Sequence, residues 1–271
     1  MPRKRRRVRV EYEDIDAETA EKKIKAALLK KETSARSSAE SLPWEPVNWR
    51  LQFENIKAMR SERSAPVDQM GAECQASSTL PPNVSRFHVL VSLMLSSQTK
   101  DQVTDAAVKR LKDYGLTIEN ILSITEEKIG KLIYPVGFWK RKANYLKRTC
   151  QILKDDFDCD IPRSVEGLCS LPGVGPKMAH LAMNIAWNEC TGIGVDTHVH
   201  RIANRLRWVR KPTKTPEQTR KSLEEWLPRE LWKNVNLILV GFGQQICVPV
   251  SPRCHGCSNS SMCPSSSTKN K

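Results

Sequence analysis

The sequence lacks any apolar stretch that approaches the roughly 20 residues needed to cross a membrane. Its longest apolar segment, Val89 to Leu95, is short and typical of a buried core element. With 39% apolar and 27% charged residues, the chain is also unlike collagen or a wholly disordered protein. Its 271 residues therefore predict one or two globular domains with a sizeable core.

The alternation of apolar and polar residues that marks β-strands is missing too, and helical spacing recurs from about residue 45 onward. We expect one buried helix face within residues 99–114 and another within residues 143–157. These faces would consist of Val103, Ala107, Leu111 and Tyr114, and of Ala143, Leu146, Cys150, Leu153 and Phe157. Thr215 is a predicted N-cap, with Gln218 in place to complete a capping box. The pattern as a whole predicts an all-α fold.

Lys and Arg (44 residues) exceed Asp and Glu (30 residues), which gives a net charge of +14. Residues 1–44 account for only +4 of this excess, so the rest of the chain carries +10. A folded body that basic favours a polyanionic partner, of which nucleic acid is the commonest. A basic protein whose charge serves only solubility is the alternative.

Residues 1–44 are expected to form a disordered arm. Six of the first nine residues are Lys or Arg, which is typical of a nuclear import signal or of an arm that binds nucleic acid. The acidic cluster Glu11 to Asp16 follows and argues against a mitochondrial presequence, although dual targeting stays open. Residues 17–31 are at best weakly helical, and residues 266–271 are expected to form a tail.

The chain has nine cysteines, an odd number, and charges occupy the N-terminus where a secretory signal would be apolar. A disulfide framework is therefore not expected. Thiolates clustered within 17 residues favour zinc or an iron–sulfur centre. Because structural zinc usually takes two Cys-x2-Cys hooks and only one is present, the spacing favours iron–sulfur over zinc. The four clustered cysteines are Cys247, Cys254, Cys257 and Cys263.

A glycine-rich turn, Leu171-Pro-Gly-Val-Gly-Pro-Lys177, lies between two helical stretches. Free amides at the start of the second helix would form an anion site that fits a DNA phosphate. A structural turn between helices explains the pattern about as well. Lys177 lies in the first helical turn, where the helix dipole disfavours a cation and favours the neutral, nucleophilic amine. An exposed, unreactive lysine is the alternative.

Asp196 follows Lys177 by 19 residues, in the segment Gly194-Val-Asp-Thr-His-Val-His-Arg201. It can cap the helix that follows or act as a catalytic carboxylate. With His198 and His200 it also forms an Asp-x-His-x-His pattern. That spacing arises by chance and no further ligand is evident, so we do not favour a metal site there.

These features occur in an order that resembles the endonuclease III family of DNA base-excision repair enzymes. The similarity covers about residues 45–265 and leaves the arm 1–44 outside. It includes Leu93-Met-Leu-Ser-Ser-Gln-Thr-Lys-Asp101, Val136-Gly-Phe-Trp-Lys-Arg-Lys-Ala143, Leu171 to Lys177, Val195 to Arg205 and the cysteine loop.

The resemblance implies a helix-hairpin-helix DNA glycosylase with DNA bound in a cleft between two helical domains. One domain, a six-helix barrel that carries the hairpin, would span residues 79–190. The other would combine residues 45–78 with residues 191–265. It would hold a 4Fe-4S cluster on the four clustered cysteines, and the cluster would support a loop rather than serve redox chemistry.

The resemblance also implies roles for single residues. Lys177 matches the family's nucleophile and Asp196 its catalytic aspartate. Gln98 matches the residue that fills the gap left by the extruded nucleotide, and Phe138 lies near the family's wedge, which is usually aliphatic. The residues expected to contact DNA are Gln98, Gly173, Gly175, His198 and Arg253, and a groove of further basic residues would include positions 201, 205, 207, 210, 211 and 214.

The implied activity is that of a bifunctional DNA N-glycosylase and abasic-site lyase. It would act on duplex DNA that carries an oxidised pyrimidine or an abasic site. The protein is expected to be a monomer that does not associate with membranes. Its expected location is the nucleus, with a mitochondrial location left open, and other repair proteins are possible partners. The sequence names no lesion more closely.

Four alternatives remain open from the sequence. Monofunctional adenine glycosylases share the hairpin, the aspartate and the cysteine loop but generally lack a lysine at the position of Lys177. They also carry an extra C-terminal domain, which we do not expect here. Oxoguanine-type relatives keep the lysine and aspartate but lack the cysteine loop. A non-catalytic DNA-binding protein or a zinc-binding transcription factor would need neither Lys177 nor Asp196.

Overall fold

This computed structural model describes residues 44–270 of the chain. Within them lie twelve α-helices and three short 3-10 helices, joined by turns and loops, and no strand. The all-α expectation is therefore confirmed. The basic run 2–9, the segment 17–31 and nearly all of the expected arm 1–44 lie outside the described residues. The α-helices are α1 Trp49–Met59, α2 Pro66–Met70, α3 Pro82–Ser96, α4 Asp101–Tyr114, α5 Ile118–Ser123, α6 Glu126–Ile133, α7 Trp139–Asp156, α8 Val165–Ser170, α9 Pro176–Ala186, α10 Thr197–Arg205, α11 Pro216–Glu224 and α12 Arg229–Gln245. The 3-10 helices are Ala72–Gln75, Cys254–Gly256 and Ser267–Asn270.

Side-chain caps fix where several of these helices begin. Thr117, Thr125 and Ser164 each accept a hydrogen bond from a backbone amide three residues later. Thr215 does the same for α11, as its sequence predicts. The capping box is not completed, because Gln218 Oε1 accepts from the amide of Lys214 rather than from that of Thr215.

The predicted helix faces are buried, with one exception. Ala143, Leu146, Cys150 and Leu153 of α7 are inside, and Phe157 packs against them. Ala107 and Leu111 of α4 are also buried. Tyr114, expected on the same face, is 44% exposed because α4 ends there, before Gly115 turns the chain with a φ of 100°.

Two apolar cores form inside the compact unit that begins at Glu45. The first collects side chains of α3 to α9, where α9 packs on α3, and α5 and α6 pack on α7. The second core consists of side chains of four helices, α1, α10, α11 and α12, with Trp208 fully buried within it. Burying each large aliphatic or aromatic side chain contributes about 1.5–3 kcal/mol, so each core is a substantial source of stability.

The short helix α2 connects the two cores, since it contacts both α4 and α12. The guanidinium of Arg60 holds the carboxylate of Asp68 at 2.7 Å, with both side chains almost fully buried. Gln244 of α12 accepts from the amide of Val67 and donates to Asp101 of α4. These contacts fix the walls of the cleft that runs between the cores. No helix within residues 44–270 is both long and apolar enough to span a membrane.

Candidate active site

A cleft of about 980 Å³ opens between the two cores. Its walls come from α2, the end of α3 and the turn that follows it, one face of α9, the start of α10, and α12. Four of the residues expected at the site line this cleft: Gln98, Lys177, Asp196 and His198. The fold thus brings together side chains that are up to about 100 residues apart in sequence.

Lys177 is the second residue of α9, directly after Pro176. Its side chain is half-buried, and its ammonium makes no hydrogen bond or ion pair within residues 44–270. The backbone amides of Lys177 and Met178 belong to the unpaired first turn of the helix. This position therefore combines a free amine with the positive end of a helix dipole.

Asp196 is the N-cap of α10, and its Oδ1 accepts from the amide of Val199 at 2.8 Å. One of the two roles considered for this residue, the helix cap, is thus present in the structure. Oδ2 has no hydrogen-bond partner in the described part of the chain, and the residue lines the cleft. The cap fixes the carboxylate and leaves one oxygen available for a positive charge in the cleft.

His198 stands beside Asp196 in the cleft wall, and burial lowers the pKa of its ring below 6.5 despite the nearby aspartate. Arg201 Nη2 lies 3.1 Å from its Nδ1. The ring also has a hydrogen bond with the backbone of Gly243, which opposes this lowering of the pKa. His200 faces Thr219 instead. Within residues 44–270, no three His, Cys, Asp or Glu side chains form a group that could hold one metal ion.

The two glycines of the hairpin have different constraints. Gly173 has a φ of 79°, and a Cβ there would come within 2.5 Å of the ring of Tyr145. Gly175 has a φ of −113° and open space around the Cβ position. Of these two residues, Gly173 is therefore the one that the fold requires as glycine.

We expect Gly173→Ala to destabilise the hairpin by about 1–3 kcal/mol, from the left-handed backbone and the contact with Tyr145. Gly175→Ala, its matched control, should change stability by less than about 0.5 kcal/mol. Thermal unfolding of both variants, together with their affinity for duplex DNA, checks this difference. Equal stability of the two variants would contradict it.

The four clustered cysteines line one cavity beneath the C-terminal loop, together with Arg205, Leu206 and Phe242. Burial raises the pKa of Cys257, and the other three thiols raise it further. Burial opposes ionisation of Cys254, but hydrogen bonds from Ser267 and Ser266 lower its pKa overall. Arg205 Nη1 donates to Cys247 Sγ at 3.3 Å. The cavity therefore presents soft donors and a cationic partner for a thiolate.

The loop that follows Cys247 is anchored by two arginines of α10. Arg201 donates to the carbonyls of Gly243 and Cys247, and Arg205 donates to those of Val248 and Pro249. These two side chains therefore brace the loop, and their part in a DNA groove stays a prediction. Val248 and Pro249 in turn form part of the cleft wall. Arg253 is exposed on this loop, borders the cysteine cavity and lies outside the cleft.

Sequence reasoning assigned no role to Lys142, whose ammonium is buried against the turn that carries Gln98. A signal was available, because Lys142 precedes Leu146, Cys150 and Leu153 at helical spacing and so falls on the buried face of α7. The bracing role of Arg201 and Arg205 left no such signal, since their partners are backbone carbonyls more than 40 residues away.

Comparison with known proteins gives consistent matches. A family model described as HhH-GPD superfamily base excision DNA repair protein matches residues 91–229. Endonuclease III-like protein 1 of Mus musculus is 62% identical over 221 residues, which cover 82% of this chain and 74% of the mouse protein. The protein of the same name from Gallus gallus is 59% identical and covers 82% and 79% of the two chains.

Solved structures agree with the sequence matches. A trapped endonuclease III–DNA covalent intermediate superposes with a TM-score of 0.70 at 25% sequence identity. The match covers 82% of this chain and 97% of that one. A non-covalent endonuclease III–DNA complex matches equally well, with a TM-score of 0.70.

Proposed function

The chain belongs to the HhH-GPD superfamily of base excision DNA repair proteins, among the endonuclease III-like enzymes, and from this premise we propose how its residues act. It is a DNA N-glycosylase and abasic-site lyase that removes oxidised pyrimidines from duplex DNA. We assign the nucleophile to Lys177 and the supporting carboxylate to Asp196. The observation that carries this assignment is an unpartnered lysine amine in the same cleft as a carboxylate with one free oxygen.

Access to the damaged nucleotide requires its extrusion, because no side chain reaches C1′ inside a stacked duplex. Extrusion costs a few kcal/mol and is easiest for a base that already stacks poorly. Gln98 would fill the gap in the duplex. Phe138, 57% exposed at the corner before α7, is suited to act as a wedge beside it. Residues 79–190 and the combination of 45–78 with 191–265 would then act as two domains around the DNA.

Phosphate groups would be held by the start of α9, where unpaired amides follow Gly173 and Gly175. His198 would add a polar imidazole in the cleft wall, and Arg253 a cation at the edge of the cysteine loop. Contacts of this kind position the duplex and carry no sequence information, which suits an enzyme that must act anywhere in the genome.

The chemistry begins with the neutral amine of Lys177. Its nitrogen attacks C1′, and the base leaves with the electron pair of the glycosidic bond. Opening of the sugar ring gives an imine between Nζ and C1′. In its protonated form the imine acidifies the 2′ proton, and loss of that proton expels the 3′ phosphate, which cuts the strand. Asp196 would take the proton from the ammonium and stabilise the positive charge that develops on the sugar.

Trapping with borohydride tests this function directly, because borohydride reduces the imine to a stable amine. Wild-type protein incubated with a duplex that carries one thymine glycol should form a covalent protein–DNA adduct. Base release without an adduct would instead indicate a monofunctional glycosylase that uses water. Neither product would indicate a DNA-binding protein without catalytic activity.

The cysteine loop fits a 4Fe-4S cluster held by Cys247, Cys254, Cys257 and Cys263. The fit rests on the donor set, four thiols around one cavity. Bound there, the cluster would supply a rigid covalent cross-link to the loop. The loop would then keep Val248 and Pro249 in the cleft wall and Arg253 at its edge.

We expect Cys257→Ser to lose most of the iron and the broad absorption near about 400 nm that cysteinate-ligated clusters show. Its affinity for duplex DNA should fall with it, since the loop loses its cross-link. Cys169→Ser, outside the loop, is the matched control and should keep both properties. An unchanged spectrum of the first variant would remove Cys257 from the ligand set.

The family's activity implies work on chromosomal DNA, and we propose that the basic run 2–9 directs the protein to the nucleus. Deletion of residues 2–9 should reduce nuclear accumulation in imaging and leave lyase activity intact. Unaltered accumulation would refute the assignment. Signal from the full chain in mitochondria would establish the second location.

A further inference from the structure

Lys142 is a buried cation that the proposed chemistry does not use. The residue is 7% exposed, and its ammonium donates to Leu95 O at 2.7 Å, Ser97 O at 2.6 Å and Thr99 Oγ1 at 3.3 Å. An ammonium has three N–H donors, so each has one partner. Within the described chain no carboxylate pairs with it. Burial lowers the pKa of Lys142 to about 8, which leaves the charged form predominant at neutral pH.

All three acceptors belong to the end of α3 and the turn that follows. The carbonyls at a helix C-terminus lack intrahelical partners and carry the negative end of the helix dipole. Lys142 reaches them from the first turn of α7 and so acts as a cap supplied by another helix. This arrangement links the end of α3 to the start of α7.

The turn held in this way is the one that presents Gln98 to the cleft. Gln98 has a φ of 49°, a left-handed conformation that a residue other than glycine keeps only when its surroundings enforce it. Gly137 closes the other side of the turn. Its amide donates to Thr99 Oγ1 at 3.1 Å, and a Cβ there would lie 2.6 Å from Gln98 O.

Phe138 follows Gly137 directly and also has a positive φ, of 56°. Its carbonyl accepts from the amide of Lys142 at 3.0 Å, the first bond of α7. The same lysine therefore contacts both elements that would enter the duplex. Its side chain holds the residues on either side of Gln98, and its backbone amide binds the carbonyl of Phe138.

We propose that Lys142 is a positioning residue that locks the Gln98 turn and the Phe138 corner into one rigid unit, which enters the duplex when the damaged nucleotide leaves it. The inference rests on the proposed function, because it concerns extrusion from duplex DNA. It predicts that Lys142 matters only for substrates in which a nucleotide must be extruded and its gap filled.

Lys142→Met tests this, because methionine keeps most of the aliphatic chain and removes the ammonium. Excision of thymine glycol from a duplex should fall about ten- to a hundredfold. Cleavage of a single-stranded oligonucleotide with one abasic site, which needs no gap filling, should change less than threefold. Wild-type protein inactive on both substrates would refute the proposed function itself. Active wild type with an equal loss on both substrates in the variant would refute only the role of Lys142.

Lys147→Met is the matched control, since Lys147 lies on the same helix and donates to the carbonyl of Ile124, away from the cleft. Relative to wild type, Lys147→Met should change the rates on the two substrates by the same factor. A selective loss on the duplex as large as that of Lys142→Met would overturn the proposal. Should Lys142→Met fail to fold, Thr99→Val provides the milder variant, because it removes one acceptor of Lys142 and the partner of Gly137.

A double-variant comparison separates positioning from general stability. If Lys142 acts through Gln98, adding Lys142→Met to Gln98→Ala should lower duplex excision little beyond Gln98→Ala alone. Independent, multiplicative losses in the double variant would show that the lysine does not act through this turn.

Discussion

Lys177→Gln should abolish strand cleavage and the borohydride-trapped adduct, with a loss of at least about 10³-fold. Glutamine is similar in length and cannot form an imine. No side chain within residues 44–270 depends on the Lys177 ammonium for a hydrogen bond, so the fold should be unaffected. Duplex binding should survive within a few fold, because the α9 amides remain. Gel analysis of trapped adducts and a binding titration measure the two properties separately.

The loss of one positive charge needs its own control. Lys131→Gln removes an exposed lysine of α6 that is paired with Glu127, and it should leave cleavage at the wild-type rate. Cleavage that persists in Lys177→Gln would place the nucleophile on another residue. Base release that persists without an adduct would mean that water attacks with the help of Asp196.

Asp196→Asn is expected to lower base excision by about 10²–10⁴-fold without a loss of stability. Asparagine still offers Oδ1 to the amide of Val199, so the α10 cap remains. It cannot take up a proton from Lys177 or balance positive charge on the sugar. Asp196→Ala should lose the cap as well and cost about 1 kcal/mol of unfolding free energy.

Comparing the two substitutions at Asp196 distinguishes the cap from the catalytic role. The two variants should differ in thermal unfolding, because only Asp196→Ala loses the cap. Their single-turnover excision rates should be similar, because both lack the carboxylate. If Asp196→Asn kept full activity, the residue would be only a helix cap. The carboxylate would then have to come from another residue of the cleft.

The helices could be predicted from local information because an α-helix repeats every 3.6 residues and its ends need polar caps. The spacing of Ala143, Leu146 and Cys150 and the cap at Thr215 were sufficient for α7 and α11. Local rules were wrong at Tyr114 and Gln218, where the helix end and the partner of a side chain depend on the neighbouring turn.

The site residues were predicted from motifs, since each motif is continuous in sequence. Lys177, Asp196 and Gln98 could be named, but whether they share a cleft depends on how α3, α9 and α10 pack. The contacts of Arg201 and Arg205 could not be predicted. Both side chains donate to backbone carbonyls of the cysteine loop, and the sequence around an arginine does not show which distant carbonyl it will bind.

By itself the sequence determined the helical class and the family, and it named the candidate site residues and a candidate metal-binding loop. These properties follow from residue types at short, fixed spacings. The tertiary structure alone decided how these residues are arranged. It places the Lys142 ammonium against the turn that carries Gln98, leaves one oxygen of Asp196 free, and forms both walls of the cleft. The physical reason is that such contacts join residues distant in sequence, and only the packing of the two cores sets their distances.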